Sequence, residues 1–116
     1  MLPSMKPESL FRTNTVDPFL KKLKNTAAFS IQQQSIRGTA DKILCIRTYF
    51  VWLEIKKEGE DPDPLQAYNA SQVRRAGGIA LCAKPENWAK VSLFLKMLDD
   101  GIYDKTMLLK INQEDK

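Results

Sequence analysis

Histidine is absent from the 116 residues of this chain, and cysteine occurs only twice. Without histidine there is no Ser-His or Cys-His triad and no imidazole general base. Two cysteines cannot fill the four positions around a structural zinc ion. Any chemistry falls to carboxylates and lysine, an inventory that suits hard cations such as Mg²⁺ or Mn²⁺. Also missing is any apolar run near the roughly 20 residues needed to cross a bilayer. Residues 1–9 lack the basic-then-apolar pattern of a secretory leader, and the cysteines sit in apolar segments rather than in a dense disulfide framework. The expectation is a soluble protein of a reducing cytoplasm, with no membrane partner.

What is present is the composition of a folded domain. Hydrophobic residues make up 43% and charged residues 28% of the chain, and the length suits one core rather than two. A single domain over 1–116 is expected, with 1–7 and 112–116 as loose ends. Eighteen Lys+Arg against fourteen Asp+Glu leave a net charge of +4. That is compatible with a cationic groove for nucleic acid but too mild to establish one.

Periodicity orders the elements. Residues 8–25 place Leu10, Phe11, Val16, Phe19, Leu20 and Leu23 on one helical face, with Asp17-Pro18 marking a start or break, so one helix or two short ones are expected. A strand over 29–34 leads through Gly38 to Asp41. Two β-branched and aromatic runs, 42–46 and 50–56, are joined by residues 47–49 as a hairpin. Asp63, Pro64 and Gln66 form a cap-then-proline helix start, and that helix closes at Gly77-Gly78. A buried strand over 79–83 follows, then a helix from Pro85 carrying Trp88, Val91, Phe94, Leu95 and Leu98. Residues 107–111 read as a last edge strand. The order is α/β, with an antiparallel start and one crossover helix.

Alternation puts Val51, Leu53 and Ile55 on one face of the second run and Trp52, Glu54 and Lys56 on the other. Antiparallel pairing brings Asp41, at the entry of one strand, to the same end as Glu54, at the exit of its partner. Two carboxylates converging there can bind a divalent cation that polarises a phosphodiester, and the ammonium of Lys56 can orient water or offset developing charge. The tripeptide Glu-x-Lys alone carries little information, since residues 114–116 repeat it; its setting distinguishes the first copy.

Ser35-Ile36-Arg37-Gly38-Thr39-Ala40-Asp41, then Phe50-Val51-Trp52-Leu53-Glu54-Ile55-Lys56-Lys57, Leu65-Gln66-Ala67-Tyr68-Asn69 and Arg75-Ala76-Gly77-Gly78, resemble in order and spacing the VRR-NUC branch of the PD-(D/E)XK nucleases, particularly its small stand-alone phage members. The resemblance covers residues 8–98. It implies a restriction-endonuclease-like αβββαβ sandwich, a central mixed sheet flanked by helices. It also implies a Mg²⁺- or Mn²⁺-dependent DNA endonuclease, selective for branched, flapped or nicked DNA, acting as a homodimer in the cytoplasm of a bacterial host. Asp41, Glu54, Lys56 and Gln66 take the catalytic positions. The metal ligands would be Asp41, Glu54, the Ile55 carbonyl and Glu8 of the first helix. The family's proline before the aspartate is Ala40 here, which relaxes positioning without removing a chemical group. The competing expectation is an inactive nucleic-acid-binding or assembly module that keeps the fold.

Plainer readings stand beside these. Gln66 can be only the capping partner of Asp63. Arg37, Gln34 and Lys57 are candidate DNA contacts, yet polar residues at strand ends are commonly just solvated. The lysines at 21, 22 and 24 and Arg74-Arg75 are solvated helix charges unless DNA meets them. Trp52 is core by default, Cys45 and Cys82 read as small buried residues, and a dimer face would be the helix over 88–98 or the sheet edge near Met107.

Overall fold

A computed structural model describes residues 6–31 and 38–114. The first segment is a continuous helical arm: α1 (Pro7–Phe11), a π-helical turn (Arg12–Val16) and α2 (Asp17–Lys21). Pro18 has no N–H to offer Asn14, and its ring crowds that carbonyl. The helix widens over the preceding turn instead of breaking. Phe11, Val16, Leu20 and Leu23 are buried along its inner side.

Four strands follow: β1 (Thr26–Ser30), β2 (Lys42–Ile46), β3 (Tyr49–Ile55) and, after helix α3 (Pro64–Arg75), β4 (Ile79–Ala83). They form one mixed sheet in the order β1-β2-β3-β4, antiparallel except for the β3–β4 pair. The β2–β3 hairpin turns at Arg47-Thr48, with Arg47 in the left-handed region at φ 55°. Tyr49 is already in the strand. Helix α4 (Trp88–Asp99) and helix α5 (Lys105–Glu114) complete the chain. An α/β fold with a mixed sheet is thus as expected.

Side-chain alternation sorts the sheet into two faces. Leu44, Ile46, Val51, Leu53, Ile55, Ile79 and Leu81 pack with the helical arm and with Val91, Phe94, Leu95 and Leu98 of α4. Trp88 closes this core by edge-to-face contacts with Phe19 and Phe11, ring centres 5.3 and 5.7 Å away. The opposite face carries Trp52, Glu54 and Cys82, and α3 lies over its β4 side. Among the described residues no helix covers that face over β1 and β2, which leaves Phe29 of β1 65% exposed; Phe50, on the same face of β3, is 42% exposed. For the same reason Cys45, expected inside, is exposed, whereas Cys82 is buried as expected.

Several expectations need correction. Residues 107–111 are not an edge strand but the middle of α5. Asp104 caps that helix by accepting from the Met107 amide at 3.0 Å, and Met107, Leu108 and Ile111 recur at helical spacing, with Ile111 fully buried. The run Met107-Leu108-Leu109 hides that period in a short window. The residues expected to form a sheet edge near Met107 are therefore part of α5, and Val91, Phe94, Leu95 and Leu98 of α4 are buried in the core while Leu93 is 53% exposed. Pro7 and residues 112–114, expected to be loose, lie in α1 and α5. Helix α4 begins at Trp88 rather than Pro85, because Asn87 ties down the preceding turn by accepting from the Lys84 amide and donating to the Cys82 carbonyl, both at 2.8 Å. The first strand starts earlier than expected, at Thr26; residues 32–34 lie outside the described residues.

One buried acid joins distant segments. Asp99, at the end of α4, is 1% exposed. It accepts from the Lys24 and Asn25 amides (3.1 and 2.7 Å) and from the Thr26 hydroxyl (2.8 Å). Burial alone would raise its pKa, but these bonds outweigh it and hold the carboxyl below its ordinary value. No helix among the described residues is long and apolar enough to cross a membrane.

Candidate functional site

The hairpin register fixes the central pair. Lys42 lies opposite Leu53, so the next step outward sets Asp41 against Glu54 on the same face of the sheet. The loop before Asp41 is anchored to α3, where the Asn69 side-chain amide donates to the Gly38 carbonyl at 2.9 Å. Gly38 adopts φ +74°, and a Cβ there would stand 2.6 Å from Leu65 Cγ and 2.7 Å from Asn69 Nδ2. Only glycine fits this approach. Ala40, standing where the resembled family has proline, is buried.

Glu54 is 1% exposed. Its Oε1 accepts from Trp52 Nε1 at 3.2 Å, so this tryptophan is more than core filling. Its Oε2 is buried with no hydrogen-bond partner. Burial pushes the Glu54 pKa up, against the opposing pull of the Trp52 hydrogen bond and the Lys56 charge. A buried carboxylate oxygen left unpaired is costly, and such an oxygen suits a cation ligand.

Asp41 points both of its oxygens to partners. Oδ2 accepts from the Ile55 amide at 2.7 Å, and Oδ1 from Arg12 Nη2 at 3.0 Å. The next amide, that of Lys56, bonds across to the Ala83 carbonyl on β4 at 2.9 Å. In an extended strand the N–H and C=O of one residue point to the same side, so the Ile55 carbonyl is directed to the Asp41 side, as a metal ligand there would need. The alternation of β3 continues to Lys56, which is half-buried; its charge acts on both Glu54 and Glu8.

Glu8 also arrives at this corner. Its Oε2 accepts from the same Arg12 Nη2 at 3.1 Å. Its pKa is raised by burial first and then by the neighbouring charge of Asp41. Sequence reasoning missed Arg12, although it lies one helical turn after Glu8, a spacing at which opposite charges meet.

The remaining candidates divide. Gln66 is engaged in the helix cap: its Oε1 accepts from the Asp63 amide at 3.1 Å, and its own amide donates to Asp63 Oδ1 at 2.9 Å. The structure therefore bears out its capping role. Lys57 is exposed and lines a cleft of about 380 Å³ with Lys6, Pro7, Glu8, Ser9 and Glu60, at the mouth of the site. Gln34 and Arg37 lie outside the described residues. Behind Glu54 a second cavity, of about 360 Å³, runs between α3, α5 and the sheet and is lined by Asp61, Ala70, Arg74, Cys82 and Asn112 among others.

Among the described residues no group of three or more His, Cys, Asp or Glu side chains is arranged to hold a metal ion. A cation at this corner would instead rest on Glu54 and Asp41, with the Ile55 carbonyl and water completing its shell. The unpartnered Glu54 oxygen fits that role. Comparison with models of known protein families and with curated proteins returns no match to this chain.

Proposed function

We propose that the chain is a divalent-cation-dependent DNA endonuclease whose site comprises Asp41, Glu54, the Ile55 carbonyl and Lys56, with Glu8 at its rim. The observation that carries this reading is the buried, unpartnered Glu54 Oε2 on the same sheet face as Asp41. A structural carboxylate would be paired, as Asp99 is by three donors. The same residues carry the sequence resemblance to the VRR-NUC branch of the PD-(D/E)XK nucleases.

Mg²⁺ or Mn²⁺ held there supplies a Lewis acid for the phosphodiester and lowers the pKa of water at neutral pH. The chain's own groups do the rest. Glu54 and Asp41 place the cation, and the Ile55 amide fixes the rotamer of Asp41 through its 2.7 Å hydrogen bond. The Lys56 ammonium, beside Glu54, orients the attacking water and offsets negative charge that builds on the phosphate oxygens. The domain offers little surface for reading a base sequence, which favours selection of DNA by shape: branched, flapped or nicked. Exposed Phe29 and Phe50 on an uncovered sheet face support action as a homodimer.

One observation favours a second reading, a non-catalytic nucleic-acid-binding or assembly module. Arg12 already neutralises Asp41, and among the described residues no group of three or more acids is arranged to hold a metal ion. Incubating the purified protein with four-way junction, flap, nicked and plain duplex DNA in Mg²⁺ and in Mn²⁺, beside a solution mass measurement, separates the two. The nuclease reading expects cutting that EDTA abolishes, strongest on a non-duplex form. Salt-sensitive DNA binding with no cutting of any form would leave the module.

A further inference from the structure

Arg12 occupies an unusual place. One of its two terminal nitrogens, Nη2, stands 3.0 Å from Asp41 Oδ1 and 3.1 Å from Glu8 Oε2. It thereby bridges two acids that are 33 residues apart and lies on the outward oxygen of Asp41, the inward one being held by the Ile55 amide. Asp41, Glu8 and Glu54 bring three like charges to one corner, and like charges directly opposed across strands repel. In the absence of another cation, this guanidinium offsets that repulsion.

A dication bound to Asp41 would sit where Arg12 now makes its contact, and two cations cannot share that carboxylate oxygen closely without strong repulsion. The backbone of Arg12 is fixed, because its π-helical turn is flanked by buried Phe11 and Val16. The side chain is 30% exposed and flexible, so the guanidinium rather than the helix must yield. Its partner Glu8, 3.1 Å away, lines an open cleft with Lys6, Lys57 and Glu60. A guanidinium presents a planar fork of donors that matches two phosphate oxygens at once.

We propose, on the premise that the site binds a divalent cation, that Arg12 is an exchangeable counter-cation. It holds the Asp41–Glu8 corner while the site is metal-free, then swings into the adjoining cleft to bind a backbone phosphate of the nucleic acid. Metal entry and phosphate capture are thereby coupled through one side chain. Arg12 is a phosphate-binding residue in this scheme, and its two functions pull its removal in opposite directions.

Mn²⁺ titration of the DNA-free protein, followed by electron paramagnetic resonance, tests this with the wild type, Arg12→Gln, Arg12→Lys and Asp41→Asn. Arg12→Gln should bind Mn²⁺ about tenfold more tightly than the wild type, the effect of losing two partly exposed ion pairs. Arg12→Lys, which keeps the charge, should bind Mn²⁺ like the wild type. In Ca²⁺, Arg12→Gln should bind duplex DNA more weakly, with the salt slope reduced by about one. A purely structural Arg12 would not tighten metal binding when lost. Mn²⁺ affinity equal to or below wild type in a folded Arg12→Gln protein overturns this inference alone. Failure of the wild type to bind Mn²⁺, or wild-type affinity in Asp41→Asn, overturns the metal-site reading and the inference with it.

Discussion

Replacing Glu54 by glutamine should stabilise the metal-free protein while removing its cation site. The side chain is 1% exposed, one oxygen has no partner, and burial raises its pKa above 4.5. The folded state therefore holds the Glu54 proton more tightly than the unfolded chain does. The Glu54 contribution to stability is greatest below about pH 4.5, is lost as pH rises through the folded value, and is level above it. Glutamine keeps an oxygen for Trp52 and carries no charge, but its amide nitrogen inherits the unpartnered position. Only the difference between an unpaired buried charge and an unpaired buried amide is then recovered, about 1–2 kcal/mol where the carboxylate is ionised and little where it is protonated. Urea unfolding in EDTA, followed by tryptophan fluorescence at pH 4.5, 6 and 8, reads this as a midpoint gap of about 1 M that closes toward acid pH. Saturating Mn²⁺ should reverse the order, adding about 2.7 kcal/mol to the wild type at a hundredfold excess over Kd and nothing to the variant. A glutamine variant less stable than wild type at pH 8 in EDTA, or a gap that ignores pH, would refute the reasoning.

Two further substitutions probe the frame around the site. Asp99→Ala removes the acceptor of three hydrogen bonds that join α4 to the start of β1 and should cost about 3 kcal/mol in chemical denaturation. Because the folded pKa of Asp99 lies below 3.8, its ionic contribution is present above that value. It is lost as pH falls through the folded one, so the wild-type acid transition should steepen below pH 3.8 and that feature should vanish in the variant. Gly38→Ala forces a side chain into a left-handed residue 2.6 Å from Leu65 Cγ; thermal unfolding should register about 2–4 kcal/mol of destabilisation. Mn²⁺ affinity should fall as well, since the loop carries Asp41. An alanine variant as stable as wild type would mean that the Gly38–α3 approach is not close.

Much of the sheet was legible because its pattern is local. Alternation in residues 51–56 separates core from site, and Asp63-Pro64-Gln66 announces α3 through the capping box seen in the fold. Other features depend on distant partners. Helix α5 is specified by the Asp104 cap and by burial of Ile111 against the fold, neither visible in a five-residue apolar run. Cys45 looks like a core residue until the helices are seen to leave one side of β1 and β2 bare. At the site, the pairing of Asp41 with Glu54 follows from register and was accessible. The Arg12 bridge joins residues 29 apart, and the Asp99 clamp joins residues 75 apart. Charge spacing along one helix hints at the first; no sequence period encodes the second. Gln66 illustrates a role that was open in sequence and that geometry assigns to the cap.

The central claim is that Asp41, Glu54 and Lys56 act together on a phosphodiester with a divalent cation. Cleavage of a branched DNA substrate in Mn²⁺ by wild type, Glu54→Gln and Lys56→Ala, with folding verified by circular dichroism, tests it most directly. The account predicts metal-dependent cutting by the wild type and a loss of at least about a hundredfold in each variant. Cutting unchanged by both substitutions, or absent from the wild type with every DNA form, would contradict it.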